Sequence, residues 1–360
     1  MKLTKINHIK NVRFSKGKNM SNEQVVDTRK KGIGLDCGTM FFVNATYLKD
    51  EIIFKTQRDS FIDIENNFIS KNMLNKLNAS FIESSDKKNL YVLGNEALQI
   101  ATFFNKECRR PFAKGVISTR EQEALSMIKI MLHNLVGKPL VENEKLYFSV
   151  PADPVDAEFN AVYHENVLKT FLTSFGYDAE AMNEAFAIIW SELEEEEFSG
   201  MSLSFGAGSV NIALSLYGIS PKQHQFSISR SGDYIDTCAA QAIGVKASKI
   251  TMIKEAGVDL LNAKTREENA IKFYYEDLIK YVCNAIEKKF GSMEDVPRFN
   301  DAITVVISGG TSKIENFDKV FENELRSKTL PFKIKLIKRA KDPLNAVAKG
   351  CLLNALNFYA

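Results

Sequence analysis

The sequence predicts an α/β protein made of two related domains that face each other across a ligand cleft. Two observations carry this. Gly34-Leu35-Asp36-Cys37-Gly38-Thr39 and Leu203-Ser204-Phe205-Gly206-Ala207-Gly208-Ser209 stand about 170 residues apart, each at the sharp turn between two strand-like runs. Behind each hairpin the chain repeats one series of strand, helix, strand and helix, which marks a duplicated unit. Glycine at such a turn admits positive φ and lets backbone N–H groups close on an anion. Two phosphate-gripping hairpins, one per half, imply a nucleotide held between the halves.

Residues 1–31 stand apart from the rest. Nine Lys or Arg face only Glu23 and Asp27 there, a charge excess with little to bury, so the segment reads as a flexible basic leader. Leu3, Ile6, Ile9 and Val12 recur every three residues among Lys2, Lys5, Lys10 and Arg13. Residues 1–19 therefore read either as a disordered leader or as an amphipathic helix for an anionic membrane surface or an adaptor. Strand runs follow at 32–37, 39–48 and 51–56. Residues 57–110 are a mixed insert that closes on a strand entering a helix at 90–97, and 109–117 is an extended connector. Ala124, Met127, Ile128, Met131 and Leu135 share one face of a helix predicted over 118–136. A strand at 145–150 stops at Pro151, which cannot donate to a sheet. Helices are expected at about 155–175 and across 179–193.

The second half opens with the hairpin 201–217 and a third strand at 225–229, followed by helices at 234–243, 247–256 and 271–290. Ala302-Ile303-Thr304-Val305-Val306-Ile307 is apolar and β-branched, hence a strand buried on both faces, and it ends in the turn 308–312. A last strand at 332–337 precedes a helix over 343–358. The expected division is a leader, 1–31; a first domain, 32–198, with its insert at about 57–110 and completed by 341–360; and a second domain, 199–340.

At 360 residues the chain exceeds a comfortable single core, which agrees with two domains. Apolar and charged contents of 45% and 26% are those of an ordinary globular protein. A net charge of +2 gives no support to nucleic acid as the main partner. No apolar run is long enough to span a bilayer, and no signal peptide opens the chain. The five cysteines are scattered and odd in number, which points to a reducing cytoplasm, and the four histidines lack metal-ligand spacing. Cys37 stands inside the first turn, either as a reactive thiol or as a packed bystander. Glu192 and Glu194–Glu197 read as a solvated acidic face.

Six segments, in order, resemble the nucleotide-binding superfamily of actin, the DnaK heat-shock chaperones and bacterial MreB. Asp36-Cys37-Gly38-Thr39 resembles its first phosphate motif, D-x-G-T. Tyr91–Ala97 and Arg110-Pro111-Phe112-Ala113-Lys114-Gly115-Val116-Ile117 resemble two segments of MreB-like and DnaK-like proteins. Val150-Pro151-Ala152 resembles the start of the first interdomain connection. Ser308-Gly309-Gly310-Thr311-Ser312-Lys313-Ile314 is similar to the chaperones' adenosine loop, and Pro343-Leu344-Asn345-Ala346-Val347-Ala348-Lys349-Gly350 to their closing motif. The resemblance runs over about 32–360 and implies duplicated actin-like (ribonuclease H-like) domains around a cleft for ATP or ADP with Mg²⁺.

Residue types fit those roles. A carboxylate at Asp36 can order the water shell of Mg²⁺, an ion that keeps several of its waters. Gly38, Thr39 and Met40 offer backbone N–H groups to β- and γ-phosphates, and Gly206, Gly208 and Ser209 grip from the other side. Gly309 and Gly310 let backbone lie flat against a purine or ribose, with Thr311 opening the helix behind them. The resemblance further implies Lys313 stacked on the base, Gly232 and Asp233 on the ribose side, and Glu184 orienting the attacking water. It also places Lys254 and Glu255 by adenine and ribose; read as residues alone, they are equally a solvated charge pair.

The chain departs from the pattern at Ser204, where the second phosphate motif has Asp, and the segment between Glu255 and Glu268 is too short for the relatives' small subdomain. The resemblance implies an ATP-binding, cytoplasmic protein that self-assembles into nucleotide-dependent filaments and hydrolyses ATP slowly. The alternative is a non-polymerising nucleotide-dependent scaffold or regulator of the same fold.

Overall fold

The computed structural model describes residues 29–360 except 78, 80 and 105. The membrane or adaptor contact expected of residues 1–19 lies outside the described residues. Strands β1 (Ile33–Cys37), β2 (Phe41–Leu48) and β3 (Glu51–Arg58) form an antiparallel meander. The insert is β4 (Phe61–Glu65), α1 (Phe68–Lys76), β5 (Phe81–Glu83), β6 (Asn89–Leu93) and α2 (Gly94–Phe103), its strands paired in the order β4-β6-β5. The extended connector is a small hairpin of β7 (Phe112–Ala113) and β8 (Val116–Ile117). Helix α3 (Ala124–Val136) leads to β9 (Glu144–Val150), which stops before Pro151 as its chemistry requires.

The helix expected from about 155 begins only at α4 (Val162–Ser174), because the chain first crosses to the other half. Val155 N donates to Ser227 O at 2.9 Å, and Ser227 N donates to Asp153 O at 3.1 Å. The helix expected across 179–193 is strand in its first part: β10 (Tyr177–Asn183) precedes α5 (Glu184–Glu192). Ala, Glu and Met favour helix locally. Here parallel pairing with β9 along the whole strand, from Tyr177↔Glu144 to Asn183↔Val150, overrides that preference. The correction puts Glu184 at the start of a helix, directly after a parallel strand.

The second half follows the expected series: β11 (Gly200–Phe205), β12 (Val210–Ser215), β13 (Gln225–Ile228), α6 (Gly232–Ile243), α7 (Ala247–Ala256) and α8 (Arg266–Gly291). Then come β14 (Ile303–Ser308), buried throughout, α9 (Phe317–Arg326), β15 (Ile334–Arg339) and α10 (Ala346–Asn357). The two large sheets share one topology, β3-β2-β1-β9-β10 and β13-β12-β11-β14-β15. In each, an antiparallel meander is extended by two parallel strands. The duplication read from the sequence is therefore a repeat of strand order.

The joint between the halves is the pair α5 and α10. Helix α10 lies on β1 and β9 of the first sheet, while α5 reaches β11, β12 and β14 of the second. Two glycines permit the contact. A Cβ on Gly350 would fall 1.8 Å from Ala187 O on α5, and one on Gly34 would fall 2.2 Å from Ala348 O on α10. Backbone therefore touches backbone at both crossings. The acidic run is exposed at Glu194, Glu195 and Glu197, as expected, but not at Glu192. The Glu192 side chain is only 3% exposed beside Lys349, and its carboxylate accepts from Lys341 N at 3.1 Å, because the chain leading into α10 covers the end of α5.

This packing has two measurable consequences. Gly350→Ala should lower stability by about 3 kcal/mol, the upper end of the usual cost of overpacking, since the obstacle is backbone rather than a side chain; chemical unfolding at neutral pH reads it, and an unchanged midpoint would show that α10 can slide. His164, buried against Phe112 at 4.9 Å with neither ring nitrogen hydrogen-bonded, is held neutral by burial, its pKa pushed down from 6.5 to about 3. A depressed pKa means the unfolded chain takes the proton first. The stability contribution is complete above pH 6.5 and is lost as pH falls, by roughly 2 kcal/mol between pH 6.5 and 5. Urea unfolding of the wild type and His164→Leu at pH 7 and 5 should show a smaller acid loss in the variant.

Candidate functional site

A cavity of about 550 Å³ lies between the two sheets, at the C-terminal ends of β1, β11 and β14. Open α/β sheets place ligands at this end of their parallel strands. The two glycine turns face each other across it. In the first, Gly38 N donates to Phe41 O at 3.1 Å, and Thr39 Oγ1 accepts from Gly115 N at 3.1 Å. In the second, Gly206 N donates to Ser209 O at 3.0 Å, while Gly206 O accepts from Thr311 Oγ1 at 2.7 Å and Ser231 Oγ at 2.5 Å. A Cβ on Gly208 would stand 2.3 Å from Thr39 Oγ1 and 2.5 Å from Gly115 N. The halves are closed on each other here, and only glycine lets the turns come so near.

Two carboxylates lie in the wall beside the turns, Asp36 half-buried and Glu184 buried. Asp36, at the end of β1, accepts from Ser149 Oγ at 2.7 Å, and Cys37 N holds that hydroxyl at 2.8 Å. Glu184 opens α5 behind Asn183, whose side chain caps the helix by accepting from Phe186 N at 3.0 Å. Glu184 accepts from Asn211 Nδ2 at 3.0 Å, and Ser204 lines the cavity with it. Burial pushes Asp36 up to about 6. Burial, with the nearby Asp36 charge adding to it, pushes Glu184 up to about 8. Such a pair lacks a positive charge, and a hydrated divalent cation fits that need. Ser204 is where the sequence puts it, with a neutral hydroxyl in place of a carboxylate.

At the other end, Gly309 has φ +90°, and a Cβ there would sit 2.3 Å from Phe205 O. A Cβ on Gly310 would meet only Leu344 Cδ2 at 3.4 Å, so this glycine faces open space. Met40, Thr311 and Lys313 line the cavity with them. Lys254 also lines it, but its ammonium is taken by Asp236 at 2.7 Å and by Gly232 O at 3.1 Å. Glu255 is paired with Arg58 of the first half at 3.6 Å. Of that sequence pair, Lys254 is largely covered while Glu255 stays exposed apart from this one contact. Gly232 lines the cavity but is packed on Thr311, whose Oγ1 a Cβ would approach to 2.6 Å. Asp233 is outside the lining and accepts two bonds from Arg110, at 3.1 and 2.7 Å. Cys37 is a packed bystander: it is buried, and burial raises its thiol pKa far above the ordinary value.

Sequence reasoning missed Asn211. It is fully buried, donates to Ser209 Oγ at 3.2 Å as well as to Glu184, and accepts from Ala152 N at 2.9 Å. One side chain thus joins the second turn, Glu184 and the connection between the halves. Its signal was a lone amide at an inward position of an apolar strand, two residues past Ser209.

The duplicated sheets, the joint helices and the cleft between them define a protein of the actin-like class. The Volactin family profile matches residues 32–355, and this chain belongs to the Volactin family. Among solved structures the chain is similar to the MamK double helical filament, with 18% identity and a TM-score of 0.69 over 90% of this chain and 98% of that one. It is similar also to MreB 5 of Spiroplasma citri bound to AMPPNP, with 16% identity and a TM-score of 0.62 over 92% and 97%. A non-polymerising point mutant of MamK bound to AMPPNP matches with 17% identity and a TM-score of 0.59 over 91% and 99%. No curated protein matches the sequence.

The carboxylate pair generates a pH prediction. A raised folded-state pKa means that the folded protein holds the proton, so the contribution is complete below pH 4 and is lost as pH rises through about 6 and about 8. Glu184→Gln cannot ionise. In metal-free buffer its melting temperature should exceed the wild type's by a few degrees at pH 9 and come close to it at pH 4. A difference that does not change with pH would show that an ionised Glu184 costs the fold nothing.

Proposed function

We propose that this chain binds ATP and ADP with Mg²⁺ in the cleft, hydrolyses ATP slowly and assembles into nucleotide-dependent filaments. The observation that carries the reading is the meeting of two glycine turns, one from each half, beside two uncompensated carboxylates, one half-buried and one buried. AMPPNP in MreB 5 and in a MamK mutant, and the filament formed by MamK, support it by likeness of fold. The backbone N–H groups of Gly38, Thr39 and Met40 would hold phosphate from one side, and Gly206, Gly208 and Ser209 from the other. Gly309, Gly310, Thr311 and Lys313 would lie along the base and ribose. Mg²⁺, when bound, would supply positive charge at the phosphates; Asp36 would hold its water shell, a role suited to an ion that keeps its waters. Glu184, steadied by Asn211, would orient the attacking water, which is most of what phosphoryl transfer asks of a protein. The working division into domains is 32–198 with 341–360, and 199–340. Among the described residues no helix is long and apolar enough to cross a membrane, and we place the chain in the cytoplasm.

A second reading, a non-polymerising nucleotide-dependent scaffold, is favoured by Ser204 and by the short segment 257–265. ATP-dependent light scattering with electron microscopy separates the two. Scattering that stays flat at high protein concentration in several salts selects the scaffold.

Gly310→Phe should abolish nucleotide binding measured by calorimetry, because its side chain enters the open cavity. A wild type that binds no purine nucleotide would end the reading. In steady-state phosphate release the wild type should be slow. A serine in place of a charged partner costs about 10²–10³ in rate, as removal of one preorganised polar group does elsewhere. Ser204→Asp should recover part of that factor, and Glu184→Ala should lose nearly all turnover. A Ser204→Asp variant that binds ATP normally but hydrolyses it no faster would assign the water to another group.

A further inference from the structure

We propose that two ion pairs across the cleft, Arg110–Asp233 and Arg58–Glu255, form a latch that sets the rate at which nucleotide leaves. This rests on the nucleotide reading above and adds its regulation. In each pair the arginine belongs to the first half and the carboxylate to the second, so neither pair survives separation of the halves. Arg110 precedes β7 and grips Asp233, at the start of α6, with both guanidinium arms, at 3.1 and 2.7 Å. Asp59 sits in the first half, buried and accepting from Phe112 N at 3.1 Å, which fixes the start of β7 just after Arg110. Arg58, at the end of β3, is positioned before it meets its partner. It lies over the Phe41 ring at 4.6 Å, and its Nε donates to Asn95 Oδ1 at 3.2 Å. Glu255 then approaches from α7 at 3.6 Å.

The carboxylates sit on the parts that would hold the ligand. Asp233 N donates to Ala207 O in the second glycine turn at 2.8 Å, so pulling on Arg110 pulls on that turn. Glu255 follows Lys254 on α7, and Lys254 is tied to α6 through Asp236 at 2.7 Å. The two pairs therefore act on one block of α6 and α7. Their strengths differ. The Arg110 pair is two-pronged and about two-thirds covered, at 34% and 30% side-chain exposure, whereas Glu255 is 51% exposed. Paired guanidinium–carboxylate bonds are the stronger type, and exposed single contacts contribute little. A direct ligand role for Asp233 and Glu255 makes a different prediction: removing either would weaken binding whatever stands at the arginine.

The test is stopped-flow dissociation of a fluorescent ADP analogue, chased with excess ATP. Asp233→Asn should release it about tenfold faster and Glu255→Gln about threefold faster, with the order following the geometry. Exchanging the charges, Arg110→Asp with Asp233→Arg, should bring the rate back to within about twofold of wild type. Added salt should speed release from the wild type and have little effect on the doubly neutralised Asp233→Asn, Glu255→Gln variant. Amide hydrogen exchange in the two glycine turns of the nucleotide-free protein gives a second readout, with circular dichroism as the folding control. The doubly neutralised variant should exchange there several-fold faster. If the wild type binds no nucleotide but this exchange rises, the latch stands and the nucleotide reading fails. Unchanged exchange in the turns, or single variants that release ADP at the wild-type rate, would overturn the latch. A charge-exchanged pair as fast as Asp233→Asn would assign Asp233 to the ligand.

Discussion

The structure depends on one close contact, the crossing of α10 with α5 and β1, where Gly350 and Gly34 remove the side chains that would hold backbones apart. Everything at the cleft inherits its position from this joint. Helix α10 moves with the first sheet, and α5 reaches the second. Their shared core, which includes Ala187, Ile188, Val306, Val347 and Cys351, is small and apolar, and the two halves meet on it. Glu184 heads α5 and Asp36 ends β1. The distance between the two carboxylates is thus a property of the joint.

At the cleft the chain concentrates what folding ordinarily avoids. Two carboxylates, one half-buried and one buried, stand with no ion-pair partner among the described residues, and two glycine turns are pressed together across a gap. Burial raises both carboxyls and, at neutral pH, favours the protonated form of Glu184. Hydrogen bonds from Ser149 and Asn211 lessen the penalty without removing it. In the function proposed above, a metal-bound polyphosphate would bring a cation with it. The cross-cleft arginines act at the periphery of the same field and meet carboxylates that the fold leaves near the opening.

Much of the site was legible because its chemistry is local. A glycine turn between strands, a carboxylate ending a buried strand, and the Gly309-Gly310 pair after an apolar run are contiguous signals, and the structure brings these residues to one cavity. Departures were legible as well, since Ser204 stands at the expected position beside Glu184. Harder to read was the first part of 179–193, where Ala, Glu and Met suit a helix, yet the open edge of β9 holds them as a strand. The destinations of charges were harder still. Asp233 and Glu255 look like ligand contacts in sequence. Their arginine partners lie more than a hundred residues away, at Arg110 and Arg58, and no periodicity connects them.

By itself the sequence determined the duplicated α/β plan, the turns that face the cleft and the residue types available there. Hydrophobic period, glycine placement and short motifs are written along the chain and need no partner to be read. Tertiary structure alone decided which strand β10 would pair with, that Asn211 would tie Glu184 to the second turn, and that Asp233 would answer Arg110. Those outcomes turn on groups distant in sequence coming within hydrogen-bonding range. A charge or an amide acquires its role from the partner that packing delivers to it.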